Sequence, residues 1–228
     1  AWYVNEASQY PSSLWPDNQD LPDSIMGVFP KSSMWLILKQ FNNRPGMRFI
    51  NYAKHTASKL LGNGKEHEQS LVGFSFLLDY VPNWRKAYLP GGFIQYQSFV
   101  PREHAKEVFS QQIALQRDVK LESFLGVFKL HKPDKFLFSH AVDGYSLALD
   151  FKVTRKNWSR LEKLCHRMND VVLQAGGRFY FAKDSTLRPS DVRAYLGEDA
   201  LNRFRKFRAE HDPEGILSTD LARRLDLI

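Results

Sequence analysis

Gly176-Gly177-Arg178-Phe179-Tyr180-Phe181-Ala182-Lys183-Asp184-Ser185 is the stretch that decides the fold. Ahead of it, Trp158, Leu161, Cys165, Met168, Val172 and Ala175 recur at steps of three and four, which places them on one apolar stripe of a helix. Gly176 or Gly177 supplies the left-handed C-terminal cap. The apolar run over 178–182 then reads as a strand, and it stops abruptly at Lys183 and Asp184. A core strand that ends this way delivers polar side chains to the rim of a site.

Working outward, residues 93–100 alternate, with Phe93, Gln95, Gln97 and Phe99 on one face and Ile94, Tyr96, Ser98 and Val100 on the other. Pro101 precedes a helix whose inward face is expected to carry Ala105, Val108, Phe109 and Ile113. Further strands are expected over 123–130 and 145–151, with a loop at 131–135. Residues 93–182 therefore read strand, helix, strand, strand, helix, strand. That order is the split βαβ arrangement of a ferredoxin-like α+β fold, with a largely antiparallel sheet and both helices on one face. C-terminal helices are expected near 198–211 and 219–224. Before residue 93 the reading is looser: a strand at 1–8, an irregular stretch at 9–24, a helix at 31–41, a turn at 62–66, a strand at 70–80 and a connection at 82–92. The expected division is an irregular and helical segment, 1–69, packed on a substrate-binding domain, 70–228. The start at Ala1 is what a fragment of a longer protein would show.

The 228 residues carry a formal charge of +7, with 43% hydrophobic and 14% aromatic content, enough for a substantial core. Basic residues are dispersed except at 203–208 and at Arg223-Arg224. A solvated basic surface is the preferred reading of this charge, with a surface for anionic lipid, a phosphorylated substrate or a partner as the alternative, and no zinc-finger, basic-zipper or RNA-binding signature supports a nucleic-acid partner. The single cysteine, Cys165, excludes an internal disulfide and reads as a small buried hydrophobe. No apolar run of 18 residues and no signal peptide is visible, so a cytoplasmic protein is expected, with peripheral membrane contact left open. The seven histidines have no metal-ligand spacing, so no metal is expected. There is no phosphate loop, nucleophile elbow or Gly-x-Gly-x-x-Gly element.

The informative residues are polar ones on strands: Gln95 and Gln97 together, Lys129 in the second strand and Lys183 at the end of the fourth. Burying such groups is costly unless they are paired. Either the free sheet face meets water, or it forms one wall of a pocket.

The segments Gly92–Gln97, Val127–Leu130 and Gly176–Ser185, and the ending Asp212-Pro213 followed by Ser218–Leu225, occur in an order that resembles the C-terminal substrate (cap) domain of flavin-linked oxidases of the vanillyl-alcohol-oxidase type. The nearer branch oxidises a lipid-linked ribose on the way to cell-wall arabinan; the aldonolactone oxidases are similar but more distant. The resemblance implies an FAD-dependent oxidoreductase acting on a sugar or polyol hydroxyl, with FAD held mainly by a separate N-terminal domain. It implies that Lys183 approaches the flavin pyrimidine edge as the catalytic cation, that Tyr180 contacts FAD, and that Gln95, Gln97, Lys129 and Ser146 face the substrate. Implied partners are a sugar or lipid-linked sugar, the chain's own FAD-binding domain and a reductase or epimerase subunit. Nearer members carry asparagine where this chain has Ser146 and cysteine where it has Ala148. An aldonolactone oxidase, or a ferredoxin-like ligand-binding module without catalysis, remains the alternative.

Overall fold

The computed structural model describes residues 24–25, 28–62 and 81–228. The strands expected over 1–8 and 70–80 lie outside the described residues. So do most of the irregular stretch over 9–24 and of the turn at 62–66. The chain divides into two compact units, Ala1–Pro90 and Gly91–Ile228.

In the first unit, a 3-10 turn at Lys31–Ser33 leads into a helix at Met34–Phe41, close to the expected span. A second helix, Arg44–Ala57, was not legible as such. Its start is well specified, because the Asn43 side chain accepts from the Gly46 N–H at 2.9 Å and Pro45 occupies the first turn. Asn42 donates to the Ala87 carbonyl at 3.1 Å and ties the 3-10 segment Trp84–Tyr88 to these helices.

The second unit follows the expected order. Its elements are β1 (Phe93–Pro101), α1 (Ala105–Asp118), β2 (Leu125–His131), β3 (Gly144–Lys152), α2 (Trp158–Gln174) and β4 (Arg178–Phe179). They are followed by α3 (Pro189–Leu196), α4 (Glu198–His211) and α5 (Asp220–Arg224). The strands form one antiparallel sheet in the order β2-β3-β1-β4, the ferredoxin-like arrangement. Tyr96, Val100, Leu149 and Phe151 from one sheet face pack against Val108, Leu161, Leu164, Met168 and Val172 of the two helices. Cys165 lies in this core, and burial pushes its thiol up to about 12.

Four details differ from the sequence reading. β4 is two residues long rather than five, because after Tyr180 the chain turns into a 3-10 segment, Phe181–Lys183. β2 starts at Leu125 and runs on through His131, which the sequence placed in a loop. Ile113 is 42% exposed, and Gln112 turns inward instead. Gln112 is held there by two buried groups on the sheet, Ser98 Oγ at 3.1 Å and Tyr96 Oη at 3.5 Å. Finally, α3 was not anticipated, although Pro189 at its first turn is a start signal.

The basic run on α4 is partly structural. Phe204 packs on Phe138 at 4.6 Å, Arg205 donates to the Asp226 carbonyl, and Arg208 pairs with Asp212 at 3.3 Å. Phe207 is exposed and stacks on His211.

α3 is anchored by a buried acid. Asp191 accepts from the Arg188 N–H and the Arg188 guanidinium, and from Asn169 Nδ2 of α2 at 2.9 Å. The Asp191 carboxylate on its guanidinium, with Asp170 at 2.5 Å, raises the Arg188 pKa further. Asp191→Ala is expected to lower unfolding free energy by about 2–4 kcal/mol, because it takes an acceptor from the buried Asn169 amide and from the half-buried Arg188. A urea midpoint indistinguishable from that of the parent protein would remove this role.

Candidate functional site

The alternation in β1 sends Gln95, Gln97 and Phe99 to the sheet face opposite the helices. Register brings partners from β3 beside them, with Gln95 opposite Asp150, Gln97 opposite Ala148 and Phe99 opposite Ser146. Ser146 in turn pairs with Lys129 of β2, and His131 follows two residues later on the same face. The open face therefore collects two glutamines, a serine, a histidine, a lysine and an acid.

These side chains are hydrogen-bonded to one another. Gln95 Nε2 donates to Asp150 Oδ1 at 2.9 Å. Gln97 Nε2 donates to Ser146 Oγ at 3.1 Å, and Ser146 Oγ lies 2.8 Å from His131 Nε2. Lys183 Nζ donates to Gln97 Oε1 at 2.8 Å. Gln97 and Ser146 are buried, and this pairing meets the requirement that buried polar groups be satisfied.

Lys183 reaches Gln97 because the chain after β4 is pinned from behind. The turn closes through the Lys183 N–H to the Tyr180 carbonyl at 2.9 Å. Arg224 of α5 donates to the Leu187 and Asp184 carbonyls, each at 2.8 Å, and pairs with the Asp184 carboxylate. Thr219 caps α5, accepting from the Ala222 N–H at 3.1 Å, and Leu225 and Leu227 anchor its end in the core. The closing motif thus supports the turn that carries Lys183.

Electrostatically the face is cationic. Burial lowers the Lys183 pKa and Lys129 adds to this, while Asp150 acts in the opposite sense. Burial also lowers His131, with His140 and Lys129 contributing, and burial lowers His140 against the pull of Asp134. Phe99 lies between the two histidine rings, at 4.8 Å from His131 and 4.6 Å from His140. Tyr180 stands at the rim against His140, with ring centroids 4.7 Å apart.

Gln95, Gln97, Ser146 and Lys183 are joined by these bonds or lie beside them, and Lys129 shares their face. Tyr180 connects only through the ring of His140. His131, His140 and Asp150 were not singled out from sequence. Asp150 carried a signal, as an acid interrupting an apolar strand in step with Ser146 and Ala148. His131 needed only one more residue of strand beyond Leu130.

A face of ammonium, amide, hydroxyl and imidazole donors suits an electron-rich ring edge or a polyhydroxylated ligand. Lys183, half-buried and hydrogen-bonded, and Tyr180 at the rim fit a flavin ring. Among the described residues, no group of three or more His, Cys, Asp or Glu could hold a metal ion. Nor is any described helix long and apolar enough to cross a membrane.

The second unit is thus an α+β ligand-binding domain of ferredoxin-like topology with a cationic, hydrogen-bonding open face. Residues 93–225 match the D-arabinono-1,4-lactone oxidase family, and the chain belongs to that family of FAD-linked oxidoreductases. It is 33% identical over 168 residues to the decaprenylphosphoryl-beta-D-ribose oxidase of Mycolicibacterium smegmatis, covering 73% of this chain and 35% of that protein. It is also 38% identical over 84 residues to an uncharacterized protein in the mprA 5' region of Streptomyces coelicolor, covering 37% of this chain and 21% of that protein. The chain therefore spans about a third or less of the length of these relatives.

Proposed function

We propose that this chain is the substrate-side domain of an FAD-dependent oxidoreductase that oxidises a sugar or polyol hydroxyl to a carbonyl. The observation that carries the reading is the Lys183–Gln97 hydrogen bond, a partly desolvated cation held on the open face of a domain of this family. We assign Lys183 and Tyr180 to the flavin, and Gln95, Gln97, Lys129 and Ser146 to the substrate. Bound FAD supplies the hydride acceptor. Lys183 presents positive charge to an electron-rich ring edge, where a fixed charge in a partly dry site is worth far more than in water. Gln97 fixes the direction of that ammonium, Gln95 and Lys129 offer polar contacts for sugar hydroxyls, and the buried Ser146 acts on the substrate side through its bond to Gln97.

The phosphate-binding part of FAD falls to a further region of the protein, since the sequence lacks a phosphate-cradling element. The name of the Mycolicibacterium relative favours a lipid-linked ribose as substrate, and the family name favours an aldonolactone. Anaerobic mixing of the full-length protein with both, and with free polyols, separates them. One class should bleach the flavin absorbance in a single exponential. No bleaching with any member of the panel would overturn the proposal.

A further inference from the structure

The hydrogen-bond chain on the open face has one self-consistent direction. An ammonium can only donate, so the atom 2.8 Å from Lys183 Nζ must be the Gln97 carbonyl oxygen, which turns the Gln97 amide nitrogen toward Ser146. Ser146 Oγ then receives one hydrogen from Gln97 and has its own to place. Ser146 is fully buried, and His131 Nε2 lies 2.8 Å from the same oxygen. A neutral His131 protonated on Nδ1 accepts that hydrogen, and each of the three bonds then has one donor and one acceptor. A charged His131, or the tautomer with hydrogen on Nε2, would point a second donor at Ser146 Oγ and deprive the hydroxyl of this acceptor. Flipping Gln97 to compensate would set its NH₂ group against the Lys183 ammonium.

We propose that His131 is a positioning residue for Lys183. As a neutral, Nδ1-protonated imidazole it takes the Ser146 hydrogen and so locks Gln97 with its carbonyl toward the ammonium. The importance of this for catalysis rests on the functional reading above; the direction of the chain does not. The charged groups around His131 agree with a neutral ring. Lys129 stands on its own strand and His140 lies across Phe99, and both disfavour a charged ring. Lys183 lies at the far end of the chain. The acids on this side are Asp150 of β3, which accepts from Gln95, and Asp134, which acts on His140. Burial lowers the His131 pKa, so the locked arrangement holds above that pKa and is lost as pH falls through it.

The test uses the full-length protein with ring-¹⁵N-labelled histidine, His131 being assigned by its absence in His131→Gln. At neutral pH the ring should be the Nδ1–H tautomer, titrating below the ordinary value of about 6.5. Ser146→Ala should raise that midpoint, because the neutral ring loses its donor. A charged or Nε2–H ring at neutral pH, or a midpoint unmoved by Ser146→Ala, would overturn the proposal. In a flavin-reduction assay, His131→Phe should slow the reaction about five- to tenfold, the value of one hydrogen bond. His131→Gln, which accepts without titrating, should recover part of that loss and remove the acid limb of the pH profile. Identical behaviour of the Phe and Gln variants would count against it. Absence of flavin reduction in the parent protein would sink the functional reading and leave the tautomer measurement to decide this one.

Discussion

Lys183→Ala is expected to slow flavin reduction in the full-length enzyme by about 10²- to 10³-fold, the loss seen when one preorganised charge-stabilising donor is removed. The fold should survive. No residue of the Phe181–Lys183 turn is fully buried, and the following residues are held by Arg224 through Asp184 and Leu187 rather than by Lys183 itself. Burial already disfavours the charged ammonium, so removing it relieves a cost as well as deleting a hydrogen bond. The pH dependence supplies a second reading. The Lys183 pKa is lowered, so the parent rate should fall on the alkaline side with a midpoint below the ordinary lysine value of about 10.4. The Ala variant should lack that limb. Stopped-flow reduction under anaerobic conditions, with a thermal melt as control, makes the comparison. Parent-like reduction by a folded Lys183→Ala protein would take the role away from this residue.

What sequence revealed of this architecture follows from which signals are local. Alternation in Phe93–Val100 and the stripe from Trp158 to Ala175 are periodic over many residues, and both match the structure. Together they fix the sheet, the covering helices and the sidedness of Gln95 and Gln97. The misses are places where one tertiary contact overrides a local preference. Gln112 points inward and Ile113 outward because Ser98 and Tyr96 present polar atoms to α1 that an isoleucine could not satisfy. The fourth strand shortens because the apolar residues Phe181 and Ala182 enter a turn, where Phe181 packs edge-on against Phe138. Within the site, the residues that the family resemblance pointed to were reachable from sequence. His131, His140 and Asp150 became visible only through register, since nothing local distinguishes a histidine at a strand end from one in a loop. Even so, the resemblance alone could not have given the direction of the Lys183–Gln97–Ser146–His131 chain, which depends on distances and burial.

The second large effect is expected at the glycine pair, and it separates two reasons for glycine. Gly176 has φ +69° and sits at the left-handed position after α2, with nothing within 4 Å of an added Cβ. Gly177 does not have a positive φ, but an added Cβ would lie 2.6 Å from the Phe99 carbonyl oxygen and 2.9 Å from that of Val172. The two N–H groups complete a Schellman motif, Gly176 to the Leu173 carbonyl at 3.0 Å and Gly177 to the Val172 carbonyl at 2.9 Å. Gly176→Ala should therefore cost only the backbone penalty, about 1 kcal/mol. Gly177→Ala must push backbone apart and should cost more, about 2–4 kcal/mol. Urea midpoints at constant slope measure both. A Gly177→Ala protein no less stable than Gly176→Ala would refute the steric account. The consequence extends to the site, because the carbonyl that a Gly177 side chain would displace belongs to Phe99, which pairs with Arg178 where β4 joins β1. Widening that junction moves the turn bearing Lys183 away from Gln97. In the full-length enzyme Gly177→Ala should therefore lose flavin-reduction rate beyond what its folded fraction explains, whereas Gly176→Ala should not.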